Sequence, residues 1–449
     1  MTSAFDTYAR QAVPRYTSYP TAPHFRGDFL ESTYRGWLAA LDASEPISLY
    51  LHVPFCKQIC WYCGCNMKLA VRPEPVAGYL ETLLAEIDLL AAQLPARMPV
   101  GHLHWGGGTP TSLEPEQLAR GMRRLAERFA ILPGAEVAIE SDLRTLTGAM
   151  AAGIGALGFT RASFGVQEFD PRVQAAINRI QPPEMVAAAV AHLRAAGVRS
   201  IGFDLIYGLP HQTTETLVRT VGLVAAMRPS RVSLFGYAHV PWMAKGQRMI
   251  GADTLPGPEA RAEQFARAAE ALVAAGYVAV GLDHFALPED SLAIALAAGA
   301  LHRNFQGYTT DAARTLLAIG TSAIGRTTGG YVQNIVEPGA WARAVTTGRL
   351  PIARGVAFLG DDRLRAHVIE RIMCDGFVDL DAAGAAFDAP PGWWEGERGA
   401  LDRLGRDRLL DRQGGAVTLT ADGRRLSRVC AAVFDRYLRS DEARHSAAV

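Results

Sequence analysis

The chain has 449 residues, 49% of them hydrophobic, enough for a large core and two or three domains. Its 45 Lys and Arg balance its 45 Asp and Glu, which argues against a general nucleic-acid binder, whose affinity rests on a cationic footprint. No run approaches the ~20 apolar residues of a membrane helix. The polar run 2–10 also lacks the apolar core of a secretory signal, so a cytosolic protein is expected.

Residues 1–45 carry Pro14, Pro20 and Pro23 and read as an irregular N-terminal segment. The first β-rich apolar run, 47–53, ends at Pro54. Similar runs recur at 100–105, 136–141, 161–166, 200–207 and 231–237, with helical patterns between them at 75–94, 114–129, 146–157, 183–196 and 213–227. The clearest helix is 75–94, where Val76, Tyr79, Leu80, Leu83, Leu84, Ile87 and Leu90 make one apolar stripe. Gly158, Gly197 and Pro229 mark helix ends. Strand–helix alternation predicts an α/β fold of parallel strands with crossover helices. A doubly wound open sheet and a barrel, complete or partial, both satisfy the pattern.

From residue 356 the character changes. A helix over 361–373, a Pro/Trp segment, a charged helix 397–410, a strand 416–420 and a last helix 421–439 predict a small, mostly helical, winged-helix-like domain, with the tail 440–449 frayed. The expected division is 1–45, 46–355 and 356–449. Such a shape carries no function by itself, and packing or lid formation is a commoner use of it than DNA binding.

Four of the six cysteines lie within ten residues, in Cys56-Lys-Gln-Ile-Cys60-Trp-Tyr-Cys63-Gly-Cys65, directly after the first strand. A disulfide framework would spread its cysteines, whereas a tight cluster in a reducing compartment reads as metal binding or redox chemistry. Thiolates select zinc or iron–sulfur clusters. Zinc fits poorly, because no second ligand pair follows; incidental buried thiols are the bland alternative. The spacing of Cys56, Cys60 and Cys63 matches a [4Fe–4S] cluster held by three cysteines, its fourth iron open to a methionine moiety. Cys65 has three open roles: lying beside the cluster, packing, or exchanging disulfides with a cluster cysteine.

Trp105-Gly106-Gly107-Gly108-Thr109-Pro110 follows the second strand and lacks the Lys and Ser/Thr of a phosphate loop, so alone it reads as a tight turn. Glu140, Gln167 and Asp204 stand at strand ends or inside apolar runs, where a polar group needs a partner. Their shared rim favours a site.

The Cys-x3-Cys-x2-Cys spacing, with Tyr62 before the last cysteine, resembles the radical S-adenosylmethionine superfamily. That resemblance implies reductive cleavage of the sulfonium to methionine and a 5′-deoxyadenosyl radical. It also turns the glycine segment into the part that holds the amino group of S-adenosylmethionine. A closer resemblance rests on Pro14-Arg-Tyr-Thr-Ser-Tyr-Pro20-Thr, Cys63-Gly-Cys65-Asn66, the glycine segment, Gly165-Val-Gln167, Asp204-Leu-Ile-Tyr-Gly-Leu-Pro210, Tyr237-Ala-His239 and His302-Arg-Asn-Phe-Gln-Gly-Tyr308. Together these resemble the oxygen-independent coproporphyrinogen III oxidase family over nearly the whole chain.

The family resemblance implies a partial (β/α)6 barrel with an N-terminal segment and a small C-terminal domain. It implies a [4Fe–4S] cluster on Cys56, Cys60 and Cys63 and two molecules of S-adenosylmethionine. Tyr50, Gly107, Glu140 and Ile324 would hold the first. Tyr62, Gly108, Thr109, Gln167, Arg179, Asp204 and Ala238 would hold the second. The implied tetrapyrrole carries four propionates, for which Arg15, Arg248 and Arg303, with Tyr16, His239 and His302, are candidates. Two propionates would each lose hydrogen and CO₂ to become vinyls, giving protoporphyrinogen IX. An electron donor such as flavodoxin or ferredoxin and a monomeric chain are also expected. A haem-binding carrier on the same fold and a radical enzyme with another substrate are the competing readings. Two stretches depart from the family: Ser141-Asp142-Leu143-Arg144, where Val-Asp-Pro-Arg is usual, and 355–360.

Overall fold

In the computed structural model, which describes residues 4–438, strand β1 (Ile47–Val53) is buried along nearly its whole length, as a strand covered on both faces must be. Strands β2 (Pro99–Gly107), β3 (Ala130–Ser141), β4 (Arg161–Gln167), β5 (Ser200–Tyr207) and β6 (Arg231–Gly236) follow it in spatial order, every neighbouring pair parallel. The crossover helices are α1 (Glu74–Ala91), α2 (Pro115–Arg128), α3 (Gly148–Ala156), α4 (Pro183–Ala195) and α5 (Thr214–Met227), and α6 (Pro258–Ala274) follows β6. A doubly wound sheet reverses its strand order at a switch point. This one does not, and the sequential order makes it a partial (β/α)6 barrel. At its first edge β7 (Leu316–Ile319) pairs parallel to β1, and β8 (Ile324–Thr327) and β9 (Gly330–Asn334) continue antiparallel.

Several predicted bounds shift. Strand β2 runs through Gly106 and Gly107, and β3 begins six residues before 136, because parallel neighbours extend the ladder beyond the apolar core of each strand. Helix Glu31–Ala39 forms beyond Pro23 and buries Tyr34 and Leu38, so 1–45 is not wholly irregular.

The described chain forms two units. The larger comprises Arg26–Tyr277 and Ala313–Gly355; the smaller comprises the described parts of Met1–Phe25, Val278–Ala312 and Val356–Val449. Within the smaller unit the N-terminal motif is tied to the C-terminal segment. Tyr16 donates to Asp435 at 3.0 Å, Arg428 Nε donates to the Pro14 carbonyl at 3.0 Å, and Arg436 N–H donates to the Tyr19 hydroxyl at 3.1 Å. Strands Phe377–Asp379, Ala416–Leu419 and Leu410–Gln413 form an antiparallel sheet in that order beside helices Asp362–Asp375, Leu380–Ala386 and Arg398–Arg406. The last predicted helix, 421–439, is two short ones, Ala421–Arg425 and Ser427–Ala432, parted at Leu426, which leaves helical dihedrals where its side chain is fully buried. Arg439 and the tail 440–449 lie outside the described residues.

Candidate functional site

The parallel strands of the larger unit bring their C-terminal ends to one rim, where such sheets carry their sites. After β1 the chain enters the cysteine loop. Beside it the end of β2 is held by two backbone hydrogen bonds, Gly108 N–H to Val53 O at 2.9 Å and Thr109 N–H to Phe55 O at 2.8 Å. This close approach explains the three glycines. A Cβ on Gly106 would meet the Glu140 carboxylate at 2.9 Å, one on Gly107 (φ +115) the His52 ring at 2.8 Å, and one on Gly108 the backbone of Pro54 and Phe55 at 2.8 Å. Gly108→Ala is therefore expected to cost ~1–3 kcal/mol and to lower iron loading, because backbone at the start of the cysteine loop must move. Denaturant melts and iron per chain check this.

Glu140, at the end of β3, accepts from Gly107 N–H at 3.1 Å and pairs with His104 Nε2 at 3.0 Å. Burial pushes its pKa up, but the His104 hydrogen bond and charge and the Gly107 amide outweigh burial and hold the carboxyl below its ordinary value. Tyr50 stacks on His104 at 5.8 Å, and its hydroxyl lies 3.1 Å from His52 Nδ1. Thr109 is buried; its hydroxyl lies 3.0 Å from Thr111 Oγ1 and accepts from Asp142 N–H at 3.0 Å.

The Cys60 sulfur faces two guanidinium groups. Arg144 Nη2 donates to it at 3.3 Å and Arg179 Nη1 at 3.2 Å. Asp142 orients both: Arg144 pairs with it at 2.6 Å, and Arg179 approaches it at 3.7 Å. Arg179 Nε also donates to Gly165 O at 2.9 Å. Cys63 is held down to about 6 by a hydrogen bond from exposed Cys65, against burial. Burial, with the charges of Cys63, Asp142 and Cys60, pushes Cys56 up to about 12. Cys65 thus lies beside Cys63.

Gln167 ends β4 in a left-handed conformation (φ +67), and its buried Oε1 has no hydrogen-bond partner in the structure. Asp204 pairs in register with Gly165 on β4 and Ser233 on β6, and Ala238 follows β6 beside Tyr237 and His239, whose side chains meet at 3.0 Å. Ile324 opens β8. Sequence-predicted residues for the cluster and S-adenosylmethionine thus fall in one unit, Tyr50 and Asp204 inside their strands and the others at strand ends or in adjoining loops. The substrate candidates divide: His239 and Arg248 belong to the larger unit, and Arg15, Tyr16, His302 and Arg303 to the smaller. Among the latter, Tyr16 is buried against Asp435, and His302 Nδ1 stands 3.4 Å from Glu370.

Among the described residues no three His, Cys, Asp or Glu groups could hold a metal ion. A single zinc needs its thiolates ~2.3 Å from one point. A four-iron cluster instead ties each thiolate to a different iron, and an anionic cluster suits the guanidinium pair on Cys60. The glycine-lined edge of β2 and the orphaned Gln167 Oε1 suit a ligand with N–H or O–H donors.

A family model described as the radical SAM superfamily matches residues 50–224. An oxygen-independent coproporphyrinogen III oxidase of Bradyrhizobium diazoefficiens is 48% identical over 443 residues, 99% of this chain and 98% of its own. One from Escherichia coli is 39% identical over 95% of this chain and 93% of its own. The chain belongs to the oxygen-independent coproporphyrinogen III oxidase family. A solved structure of the coproporphyrinogen III oxidase from Escherichia coli, described as a radical SAM enzyme, superposes on this member of the family with a TM-score of 0.91 at 38% identity, covering 95% of this chain and 100% of that one. Membership makes the chain a radical SAM oxidoreductase and implies S-adenosylmethionine and a [4Fe–4S] cluster.

Asp142 and Arg144, part of a stretch that departs from the family pattern, are not among the predicted site residues, yet they touch Arg179 and Cys60. The alternation Glu140-x-Asp142-x-Arg144 at a strand end was the available signal. Leu143, where the family carries proline, is buried, and Ser141 adds a hydroxyl contact to Thr111 Oγ1 at 2.9 Å. The Asp142–Arg144 pair is intact.

Proposed function

We propose that this chain converts coproporphyrinogen III to protoporphyrinogen IX without oxygen, by oxidative decarboxylation of two propionates to vinyls. The observation that carries the reading is identity of 39–48% to curated relatives of that name over nearly the full length, joined to a three-cysteine loop whose Cys60 faces two guanidinium groups. Cys56, Cys60 and Cys63 are the cluster ligands. When bound, the reduced cluster and S-adenosylmethionine supply a 5′-deoxyadenosyl radical able to take hydrogen from a propionate β-carbon.

The residues of this chain bind and orient. Tyr50, Gly107, Glu140 and Ile324 serve one S-adenosylmethionine; Tyr62, Gly108, Thr109, Gln167, Arg179, Asp204 and Ala238 serve a second. Glu140, kept ionised, accepts from an amino or hydroxyl group. Of the substrate candidates, Arg303 is the best prepared for a carboxylate: its buried Nε and Nη1 have no hydrogen-bond partner in the structure, and its guanidinium lies 4.4 Å from the Tyr308 ring centre. The working state is a cytoplasmic monomer supplied with electrons by a flavodoxin or ferredoxin. No helix of the described residues is long and apolar enough to cross a membrane.

The test is anaerobic reconstitution with iron and sulfide, then reductant, S-adenosylmethionine and coproporphyrinogen III, with products read by mass spectrometry. Loss of two CO₂ with matching 5′-deoxyadenosine is expected. 5′-Deoxyadenosine without decarboxylation would reassign the substrate. Arg179→Ala is expected to retain its iron but lose turnover by ~10- to 100-fold, the usual cost of removing a group that supports a metal site; iron analysis beside 5′-deoxyadenosine yield checks it.

A further inference from the structure

Three segments of the larger unit meet around the cysteine loop. Asn178 Nδ2 donates to Ile59 O at 2.7 Å, Trp61 N–H to Ile177 O at 3.0 Å, and Gln247 Nε2 to Tyr62 O at 2.9 Å. These bonds join loop 56–63 to segments 171–181 and 237–250. The three contain five Lys or Arg and no Asp or Glu, in a chain whose charges balance over its whole length. Lys57, Arg172 and Lys245 are exposed, and none forms an ion pair with a described residue. Beside them Trp242 is 55% exposed, Met243 75% and Met249 62%. Large apolar side chains grouped on one loop mark an interaction site, and an aromatic and adaptable methionines inside a charged rim match the make-up of protein interfaces.

We infer that this face docks a small acidic protein that carries one electron, and that the electron enters the cluster here. The inference rests on the proposed function, because only a cluster on Cys56, Cys60 and Cys63 gives the electron a destination. The step transfers no atoms. A reduced carrier, such as a flavin hydroquinone, loses one electron and becomes its semiquinone, and the oxidised cluster gains that electron. Bound S-adenosylmethionine would take up that electron in the cleavage of its carbon–sulfur bond. The carrier's acidic surface matches the unneutralised cations, which steer association and make it sensitive to salt. Exposed residues 57–59 lie in the chain between two of the cysteines, Cys56 and Cys60.

The experiment uses the reconstituted enzyme and purified flavodoxin. Wild type, Arg172→Glu/Lys245→Glu and Trp242→Ser are compared for flavodoxin affinity at low and high salt. They are also compared for 5′-deoxyadenosine formed with flavodoxin hydroquinone and with dithionite. The double variant is expected to bind flavodoxin about tenfold more weakly at low salt, with a flatter salt dependence. Its flavodoxin-driven rate should fall in parallel, while its dithionite-driven rate stays unchanged. Trp242→Ser is expected to weaken binding at both salt concentrations. Unchanged flavodoxin affinity in both variants overturns the inference. So does an equal loss with dithionite accompanied by weaker coproporphyrinogen binding, which would make the face a substrate entrance. Wild-type enzyme that forms no 5′-deoxyadenosine with dithionite would overturn the proposed function itself.

Discussion

Cys60→Ala is expected to remove the iron–sulfur absorbance and 5′-deoxyadenosine formation together. Loss of a supporting residue at a metal site costs ~10- to 100-fold, so loss of a ligand should exceed ~100-fold. The structure adds a reason beyond ligand count. The Cys60 sulfur accepts from Arg144 and Arg179, and without it both guanidiniums are left with Asp142 as their anionic partner. Buried donors that lose their acceptor are costly, so the variant should also melt at lower denaturant before any iron is added. Cys374→Ala is the control. Cys374 packs in an apolar cluster of the smaller unit, so this variant should keep full iron loading and near-normal turnover. A Cys60→Ala protein with a normal cluster spectrum would remove Cys60 from the ligand set.

Glu86→Ala is expected to destabilise the larger unit by ~3–5 kcal/mol. Glu86 is 2% exposed, in the apolar face of α1, and accepts three hydrogen bonds: Gly320 N–H at 2.8 Å, Trp341 Nε1 at 2.8 Å and Asn334 Nδ2 at 2.6 Å. Alanine would orphan these buried donors and free the turn between β7 and β8 that leads to Ile324. Burial pushes the carboxyl up to about 7, against the pull of those donors. A carboxyl raised in the folded state contributes stability that is fully present below its ordinary pKa and is lost as pH rises through about 7. Glu86→Gln keeps an acceptor for Gly320 and Trp341, so it should cost less than alanine and flatten the fall in stability between about pH 4.5 and 7. Urea melts across that range check both variants. A wild-type-like pH dependence in Glu86→Gln would exclude Glu86 as its source.

Chain-local signals carried most of the fold class. The stripe on α1, the apolar run of β1 and the cysteine spacing each concern residues close in sequence, where periodicity and ligand spacing act directly. Glu86 was legible as an acid on that same stripe, but its meaning was not. The donors it satisfies lie more than 230 residues away, and no local pattern encodes them. The glycine segment shows the same limit. On residue type alone it reads as a tight turn and the family resemblance gives it to a ligand, whereas the structure demands each glycine first for the approach of His52, Glu140 and the Pro54–Phe55 backbone.

The sequence by itself determined the α/β class, the cysteine loop behind the first strand and the family motifs, because those depend on residue type and short spacing. Only the tertiary structure decided between open sheet and barrel, since strand order is set by which edges pair and periodicity is blind to it. It alone placed Arg144 and Arg179 on Cys60 and gathered 4–25, 278–312 and 356–438 into one unit. Those contacts join strand ends and segments far apart in the chain, and burial and hydrogen-bond satisfaction act on them only once the backbone has folded.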